Sequence, residues 1–223
     1  MIAPNLTIQY LEALALTDNA AANWVRRQLV STYSEFLDVL YDDLKTIIER
    51  LEENPQDFLE ESEDATTQRL LDIAYGFGYT SRQMKKGGNV DITIEISRLK
   101  FSWIGEAKKF GDVGDLREGY LQLSTRYRGM MEQDGRMHGG LIGYLRRPNA
   151  KECMDSWEAH FSTLPAAAGN VRTACSRRGP LAFISEHLHQ DFGTPLRVWH
   201  NCVVLHASPK DRSGRAAQKY AGA

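Results

Sequence analysis

The sequence predicts a mixed α/β fold of the α+β kind, in which helices flank a central mixed sheet. Two observations lead to this class. Apolar residues recur every three or four positions through much of the first 60 residues, which is typical of amphipathic helices. From residue 89 to residue 96 they alternate with polar residues instead, which is typical of a half-buried strand. Further segments of both types follow one another to residue 205.

The N-terminal helices form the first predicted unit. Proline cannot continue a helix interior, so Asn54-Pro55 predicts a break. We therefore divide the chain into a helical N-terminal segment, residues 1–60, and a larger domain, residues 61–223. The segment is expected to mediate assembly, either into a homo-oligomer or with a partner protein. Its apolar stripe consists of Tyr33, Phe36, Leu37, Leu40, Leu44, Ile47, Ile48 and Leu51.

The larger domain mixes helices and strands. A helix over 63–75 should end at Gly76 and Gly78, because glycine is common after helix C-termini. A turn is predicted at Gly87-Gly88, and the polar tail after Pro209 is predicted to be loose. The remaining elements are strands over 89–96 and 100–109, a helix over 115–131, a strand over 140–145, a helix over 150–163, and strands over 181–185 and 196–205.

Composition limits the class of protein. Apolar residues make up 42% and charged residues 25% of the chain, as in soluble globular proteins. No apolar run approaches the roughly 20 residues that span a bilayer, so no membrane partner is expected. The N-terminus lacks the basic region of a signal peptide. Three widely spaced cysteines, Cys153, Cys175 and Cys202, suggest free thiols in a reducing compartment, and a cytoplasmic location is expected.

Charge is distributed unevenly along the chain. Residues 1–80 contain 15 acidic and 5 basic residues, whereas residues 81–223 contain 14 acidic and 22 basic residues. The basic part could attract a polyanion such as nucleic acid, or the charges could segregate without function. Six arginines are candidates for phosphate contacts, although each could equally be an ordinary solvated arginine: Arg126, Arg128, Arg146, Arg147, Arg177 and Arg178.

The chemically informative residues lie on the two predicted strands 89–96 and 100–109. Glu106 and Lys108 are two positions apart, so they share one face of their strand, and Asp91 can reach them if the strands pair. Aspartate is a poor strand former, so its position among Ile and Val invites a functional explanation. Carboxylates bind Mg²⁺, and an ammonium beside them could orient water or offset developing charge. The small Ala107 leaves room for its carbonyl to act as a further ligand.

This pattern, Asp91 followed by Glu106-Ala107-Lys108, resembles the PD-(D/E)XK nuclease superfamily, whose fold is called restriction-endonuclease-like. Val90 stands where the family name has proline. The resemblance covers roughly residues 60–147. It implies a core formed by a helix, a strand hairpin, a second helix and a further strand.

The resemblance also implies two further site residues. A glutamate on the first core helix often joins the metal shell in this family, and Glu63 matches it best, with Glu61 and Asp64 as neighbouring candidates. A glutamine on the second core helix often lies near the active centre, and Gln122 matches it. Some exonuclease-like members have a tyrosine four residues after that glutamine. Tyr127 is five residues on, so that subtype is not predicted.

The function expected from the resemblance is metal-dependent hydrolysis of phosphodiester bonds in DNA, with Mg²⁺ or Mn²⁺, in a restriction or defence effector. The alternative is a catalytically silent subunit of the same fold that binds nucleic acid or assembles with a partner protein. A late cluster suggests zinc at first sight but lacks the spacing of zinc ligands, so core or surface positions are favoured for its members: His187, His189, His200, Cys202 and His206.

Overall fold

A computed structural model describes residues 19–85, 89–126, 136–165, 171–189 and 192–208, together with the isolated residues 9, 13 and 16. Five α-helices and seven strands lie in these ranges, with two short 3₁₀ helices, Pro55–Phe58 and Ser97–Leu99. The helices are α1 (Asn19–Leu29), α2 (Tyr33–Glu52), α3 (Glu63–Gly76), α4 (Val113–Arg126) and α5 (Ala150–Phe161). The strands are β1 (Thr80–Lys85), β2 (Asn89–Ile96), β3 (Phe101–Lys109), β4 (Met137–Leu145), β5 (Val171–Cys175), β6 (Gly179–Leu188) and β7 (Pro195–Val204).

The seven strands form one mixed sheet in the order β1-β2-β3-β4-β7-β6-β5. Strands β1, β2 and β3 pair antiparallel, β3, β4 and β7 pair parallel, and β7, β6 and β5 pair antiparallel. Helix α4 connects the parallel strands β3 and β4, as a parallel pair requires a crossover. The predicted α/β class, with a mixed sheet flanked by helices, is confirmed.

Helices cover both faces of the sheet. Neighbouring residues on one strand point to opposite faces, and Trp103 and Ile104 accordingly belong to two different buried clusters. The first cluster includes buried residues of α2 and α3, and the second includes buried residues of α4 and α5. Helix α2 contributes Phe36 and Leu40, which are fully buried, so it forms a layer of the same core as the sheet.

The helix ends follow the local sequence. Helix α2 begins after Thr32, which forms a reciprocal capping box with Glu35. It ends at Glu52, and a short 3₁₀ helix begins at Pro55. The predicted break at Asn54-Pro55 is therefore confirmed. Among the described residues, no helix combines the length and the apolar character needed to cross a bilayer.

Two strands were not predicted. β1 (sequence TSRQMK) and β5 (sequence VRTAC) are the two edges of the sheet and lack a long apolar alternation. Edge strands are half solvated, so their sequences need not be apolar. Helix α4 starts two residues before the predicted position and is described to Arg126. The predicted continuation to residue 131, the Gly87-Gly88 turn and the tail after Pro209 lie outside the described residues.

Candidate active site

Strand β3 carries Glu106 and Lys108 on the face that packs against helix α4. Glu106 is almost completely buried, with 1% of its surface exposed. Its Oε1 atom accepts a hydrogen bond from Lys108 Nζ at 2.6 Å. A Cβ atom on Gly119 of α4 would lie 2.8 Å from Lys108 Cγ and 3.3 Å from Glu106 Cγ. The helix can therefore approach this pair because position 119 has no side chain.

Asp91 lies opposite Glu106, at the point where the ladder between β2 and β3 ends. The adjacent pair is Ile92 with Gly105, so the antiparallel register puts Asp91 and Glu106 on the same face. Asp91 Oδ2 accepts a hydrogen bond from the backbone N–H of Ala107 at 3.1 Å. The carboxylate thus replaces a backbone acceptor from the neighbouring strand.

Ala107 contributes to the site through its backbone. Its side chain is fully buried in the first cluster, on the face opposite Glu106 and Lys108. The N–H and C=O of one strand residue point towards the same neighbouring strand. Because the Ala107 N–H points to Asp91, its carbonyl is directed towards the same side of β3. This orientation suits the ligand role predicted for the carbonyl.

Glu63 reaches the site from the other helix layer. It is the first residue of α3, and its Oε2 atom accepts a hydrogen bond from the backbone N–H of Lys109 at 2.5 Å. Its Oε1 atom lies 3.8 Å from Lys108 Nζ. Of the neighbouring candidates, Glu61 forms an ion pair with Arg69 instead. The contacts therefore bring Glu63, the residue best matched by the resemblance, to the end of β3.

Lys108 lies at the centre of three carboxylates. Its Nζ atom is 2.6 Å from Glu106, 3.7 Å from Asp91 and 3.8 Å from Glu63. Burial acts to lower the pKa of Lys108, but the hydrogen bond and charge of Glu106 and the charges of Asp91 and Glu63 raise it above its usual value. The ammonium therefore stays protonated at neutral pH. Three carboxyl groups therefore surround a single positive charge.

The chemistry of this donor set fits a hard divalent cation. Carboxylate oxygens and a backbone carbonyl are the ligands that Mg²⁺ accepts. Asp91 and Glu63 each use one oxygen for a backbone N–H, so the second oxygen of each is not engaged by these bonds. Among the described residues, however, no three His, Cys, Asp or Glu side chains are arranged as a ready metal centre. The ammonium of Lys108 occupies the position between the carboxylates.

Gln122 is half-buried on helix α4, three residues after Gly119. The hydrogen bonds and ion pairs that join the other described members of the site do not include it. The structure thus places Gln122 on the helix that covers the site, and within the described part of the chain it shows no hydrogen bond between Gln122 and the other site residues. Tyr127 lies outside the described residues.

Three of the predicted phosphate-binding arginines make contacts within the protein. Arg146 donates to the backbone carbonyl of Glu61 at 2.6 Å. Arg177 pairs with Asp42 at 2.8 Å. Arg178 pairs with Glu52 at 2.6 Å.

The unequal charges of the two parts of the chain are thus partly balanced within the fold. Burial raises the pKa of Asp42, but hydrogen bonds from Arg26 and Arg177 outweigh it and hold that pKa below its usual value. Arg128 and the side chain of Arg126 lie outside the described residues, and Arg147 is exposed.

The buried histidines belong to the core. His200 accepts a hydrogen bond at Nδ1 from the indole N–H of Trp157 at 3.1 Å. An indole nitrogen can only donate, so Nδ1 carries no proton. The proton of neutral His200 is therefore on Nε2, which donates to Ser185 Oγ at 2.8 Å. His187 Nε2 lies 2.7 Å from the hydroxyl of Tyr120. These contacts agree with the expected core positions.

Two features of the site were missed by reasoning from sequence. One is Gly119, although a glycine in a helix interior costs about 1 kcal/mol relative to alanine and so calls for an explanation. The other is the backbone N–H of Lys109, which binds Glu63. No residue type indicates a backbone contact of that kind.

Comparisons with known proteins found no match. No family model matches the chain, and neither the curated proteins nor the solved structures include a significant relative.

Proposed function

We propose that this protein is a metal-dependent nuclease that hydrolyses phosphodiester bonds in DNA. One observation carries the proposal: Glu63, Asp91 and Glu106, from three separate elements, converge within 3.8 Å of the Lys108 ammonium. Burying the Glu106 carboxylate costs free energy unless a partner group compensates the loss of solvation. Ionisable groups crowded in this way mark a candidate functional site, and carboxylates beside an ammonium suit a divalent cation and a phosphate group.

The order of elements around these residues agrees with the resemblance to the PD-(D/E)XK superfamily. Helix α3 carries Glu63, the hairpin of β2 and β3 carries Asp91, Glu106 and Lys108, helix α4 follows, and β4 lies parallel to β3. This is the helix, hairpin, helix and strand that the resemblance implies. We therefore propose a restriction-endonuclease-like core for this half of the sheet.

In the proposed reaction, Asp91, Glu106, Glu63 and the Ala107 carbonyl would hold Mg²⁺ or Mn²⁺. When bound, such an ion lowers the pKa of water and neutralises charge on the scissile phosphate. Lys108 keeps its proton on Nζ, where it can orient the attacking water or offset the charge that develops on the phosphoryl oxygens. Glu106 holds that ammonium through the 2.6 Å hydrogen bond.

The test is cleavage of DNA by the purified full-length chain. Plasmid, linear duplex, single-stranded DNA and RNA are each incubated with Mg²⁺, with Mn²⁺ or with EDTA. We expect DNA cleavage that requires the metal and falls at least about 100-fold in Lys108→Ala. Lys109→Ala is the matched control, because this exposed neighbour contributes only its backbone N–H. Cleavage that survives both Lys108→Ala and Asp91→Ala would contradict the site.

A second candidate is a catalytically silent subunit that binds nucleic acid. It is favoured by the contacts of Asp91 and Glu63 with backbone N–H groups, because these would stabilise the end of β3 without any chemistry. Wild-type protein that binds DNA in a salt-dependent manner, but shows no cleavage with either metal, would support this candidate. RNA cleavage in place of DNA cleavage would change the proposed substrate and keep the site.

A further inference from the structure

The first turn of helix α3 is held by two residues from the end of β4. Thr66 and Thr67 follow Glu63 by three and four positions, so they lie on the same face of the helix as Glu63. Both threonines are buried, with 0% and 1% of their surfaces exposed. Thr67 makes a polar contact with Tyr144 of β4, and Thr66 makes one with Arg146, the residue directly after β4.

The first contact is a buried pair of hydroxyls. Tyr144 Oη lies 3.1 Å from Thr67 Oγ1, and Tyr144 is 1% exposed. Tyr144 is also the partner of Lys109 in the parallel ladder of β3 and β4. The N–H of Lys109 donates to Glu63. Tyr144 and Glu63 therefore approach Lys109 from opposite edges of β3.

The second contact fixes the start of the helix. Arg146 donates to the carbonyl of Glu61 at 2.6 Å and to Thr66 Oγ1 at 3.1 Å. Thr66 Oγ1 also lies 3.1 Å from the carbonyl of Ser62, to which it donates. A planar guanidinium that binds a carbonyl before the helix and a side chain in its first turn fixes both the position and the direction of that turn.

Electrostatics agree with this placement. Burial raises the pKa of Tyr144; the contact with Thr67 acts in the opposite direction, and the charges of Asp91 and Glu63 raise the pKa further. The tyrosine hydroxyl therefore remains protonated and lies close enough to Asp91 and Glu63 to sense their charge. Tyr144 is thus one of the residues that support the site residues.

We propose that Tyr144 and Arg146 are positioning residues that hold the first turn of α3 so that Glu63 stays at the end of β3. This inference builds on the proposed nuclease function where activity is measured, but the positioning itself can be tested without activity. Neither residue contacts the group formed by Asp91, Glu106 and Lys108 through the bonds described above. Both are expected to act through Glu63.

The first measurement is independent of catalysis. The N–H of Lys109 donates to Glu63, so its proton chemical shift and its hydrogen exchange report whether Glu63 is in place. In Tyr144→Phe and in Arg146→Met we expect this amide to exchange roughly 10-fold faster than in the wild type. Tyr33→Phe is the matched control, because it removes another phenol hydroxyl, which donates to the carbonyl of Ser102 at 2.9 Å. An unchanged Lys109 amide in both variants would overturn the proposal, even if the wild type cleaves DNA.

The second measurement is a double-mutant cycle in which calorimetry measures the affinity for Mn²⁺. We expect Tyr144→Phe to weaken Mn²⁺ binding roughly 10-fold in the wild-type background, as supporting contacts around metal ligands commonly do. In a Glu63→Gln background the same change should have less than about a 2-fold effect, since a residue that acts through Glu63 has nothing left to position. Equal effects in both backgrounds would contradict positioning and indicate a general loss of stability. A wild type that binds no Mn²⁺ would contradict the proposed function, and the Lys109 amide would still decide the positioning.

Discussion

One oxygen atom of Asp91 links the backbone of β3 to the centre of the site. Asp91 Oδ2 accepts the hydrogen bond of the Ala107 N–H at 3.1 Å, and the same atom lies 3.7 Å from Lys108 Nζ. Asp91 therefore combines a structural contact, which needs only an acceptor, with an electrostatic contact, which needs a negative charge. Substitutions that keep one property and remove the other can separate the two.

Asp91→Asn retains an acceptor for the Ala107 N–H but removes the charge. We expect its free energy of unfolding to stay within about 1 kcal/mol of the wild type, while DNA cleavage falls at least about 100-fold. Asp91→Ala removes both properties, so it should also lose roughly 1–3 kcal/mol of stability. Urea denaturation and plasmid cleavage measure the two effects. An Asn variant that cleaves normally would show that the charge of Asp91 is not needed.

Gly119→Ala tests how closely helix α4 covers the site. The new Cβ would lie 2.8 Å from both Leu141 Cδ1 and Lys108 Cγ, so the helix or the lysine must move. We expect a loss of roughly 1–2 kcal/mol of stability together with weaker cleavage, because a displaced Lys108 loses its hydrogen bond to Glu106. Gly76→Ala is the control, since a Cβ there meets nothing within 4 Å. Equal behaviour of the two variants would mean that the clash is relieved without cost.

The sequence predicted the part of the site that depends on strand geometry. Glu106 and Lys108 share a face because they are two residues apart, and pairing of consecutive strands brings Asp91 to them. The contact between Thr67 and Tyr144 joins residues 77 positions apart and depends on how α3 packs on the sheet. Local patterns do not determine such a contact.

The same limit applies to the charges. The sequence showed an excess of acidic residues in the N-terminal part and of basic residues in the rest. It did not show whether those charges face solvent or each other. Arg178, a candidate for binding phosphate, instead binds Glu52 in the finished fold. Polar edge strands such as β1 were missed because their pairing partner, and not their own pattern, makes them strands.

Arg178→Met should destabilise the protein strongly. The Arg178 side chain is 6% exposed, donates to both carboxylate oxygens of Glu52 at 2.9 and 2.6 Å, and donates to the carbonyl of Cys202 at 3.0 Å. Its removal leaves Glu52 mostly buried without its counter-charge, which should cost about 3 kcal/mol.

The control is Arg82→Met, which breaks the pair between Arg82 and Glu95, where half of the arginine side chain is exposed. A surface pair of this kind contributes less than about 1 kcal/mol. Urea denaturation of both variants at the same ionic strength gives the comparison. Similar losses of stability in the two variants would show that the buried pair stabilises the fold no more than the exposed pair does.

The buried histidines should make the protein sensitive to mild acid. Burial lowers the pKa of His187 to about 4, with a smaller contribution from His189, and burial also lowers the pKa of His200. An unfolded histidine has a pKa of about 6.5. Between these values the unfolded chain binds protons that the folded protein does not. The stability that these neutral histidines contribute is therefore fully present above about pH 6.5, and this contribution is lost as the pH falls towards 4.

His187→Gln removes one of these titrating groups, so it isolates the contribution of His187. Each such group steepens the pH dependence of the free energy of unfolding by at most about 1.4 kcal/mol per pH unit. The variant should therefore show a shallower slope between pH 6.5 and 4.5 than the wild type, as measured by urea denaturation at several pH values. In the folded wild type, the imidazole proton resonance of His187 should stay in its neutral position down to about pH 5. Titration of that resonance above pH 6, or an unchanged slope in the variant, would show that His187 is protonated as readily in the folded protein as in the unfolded chain.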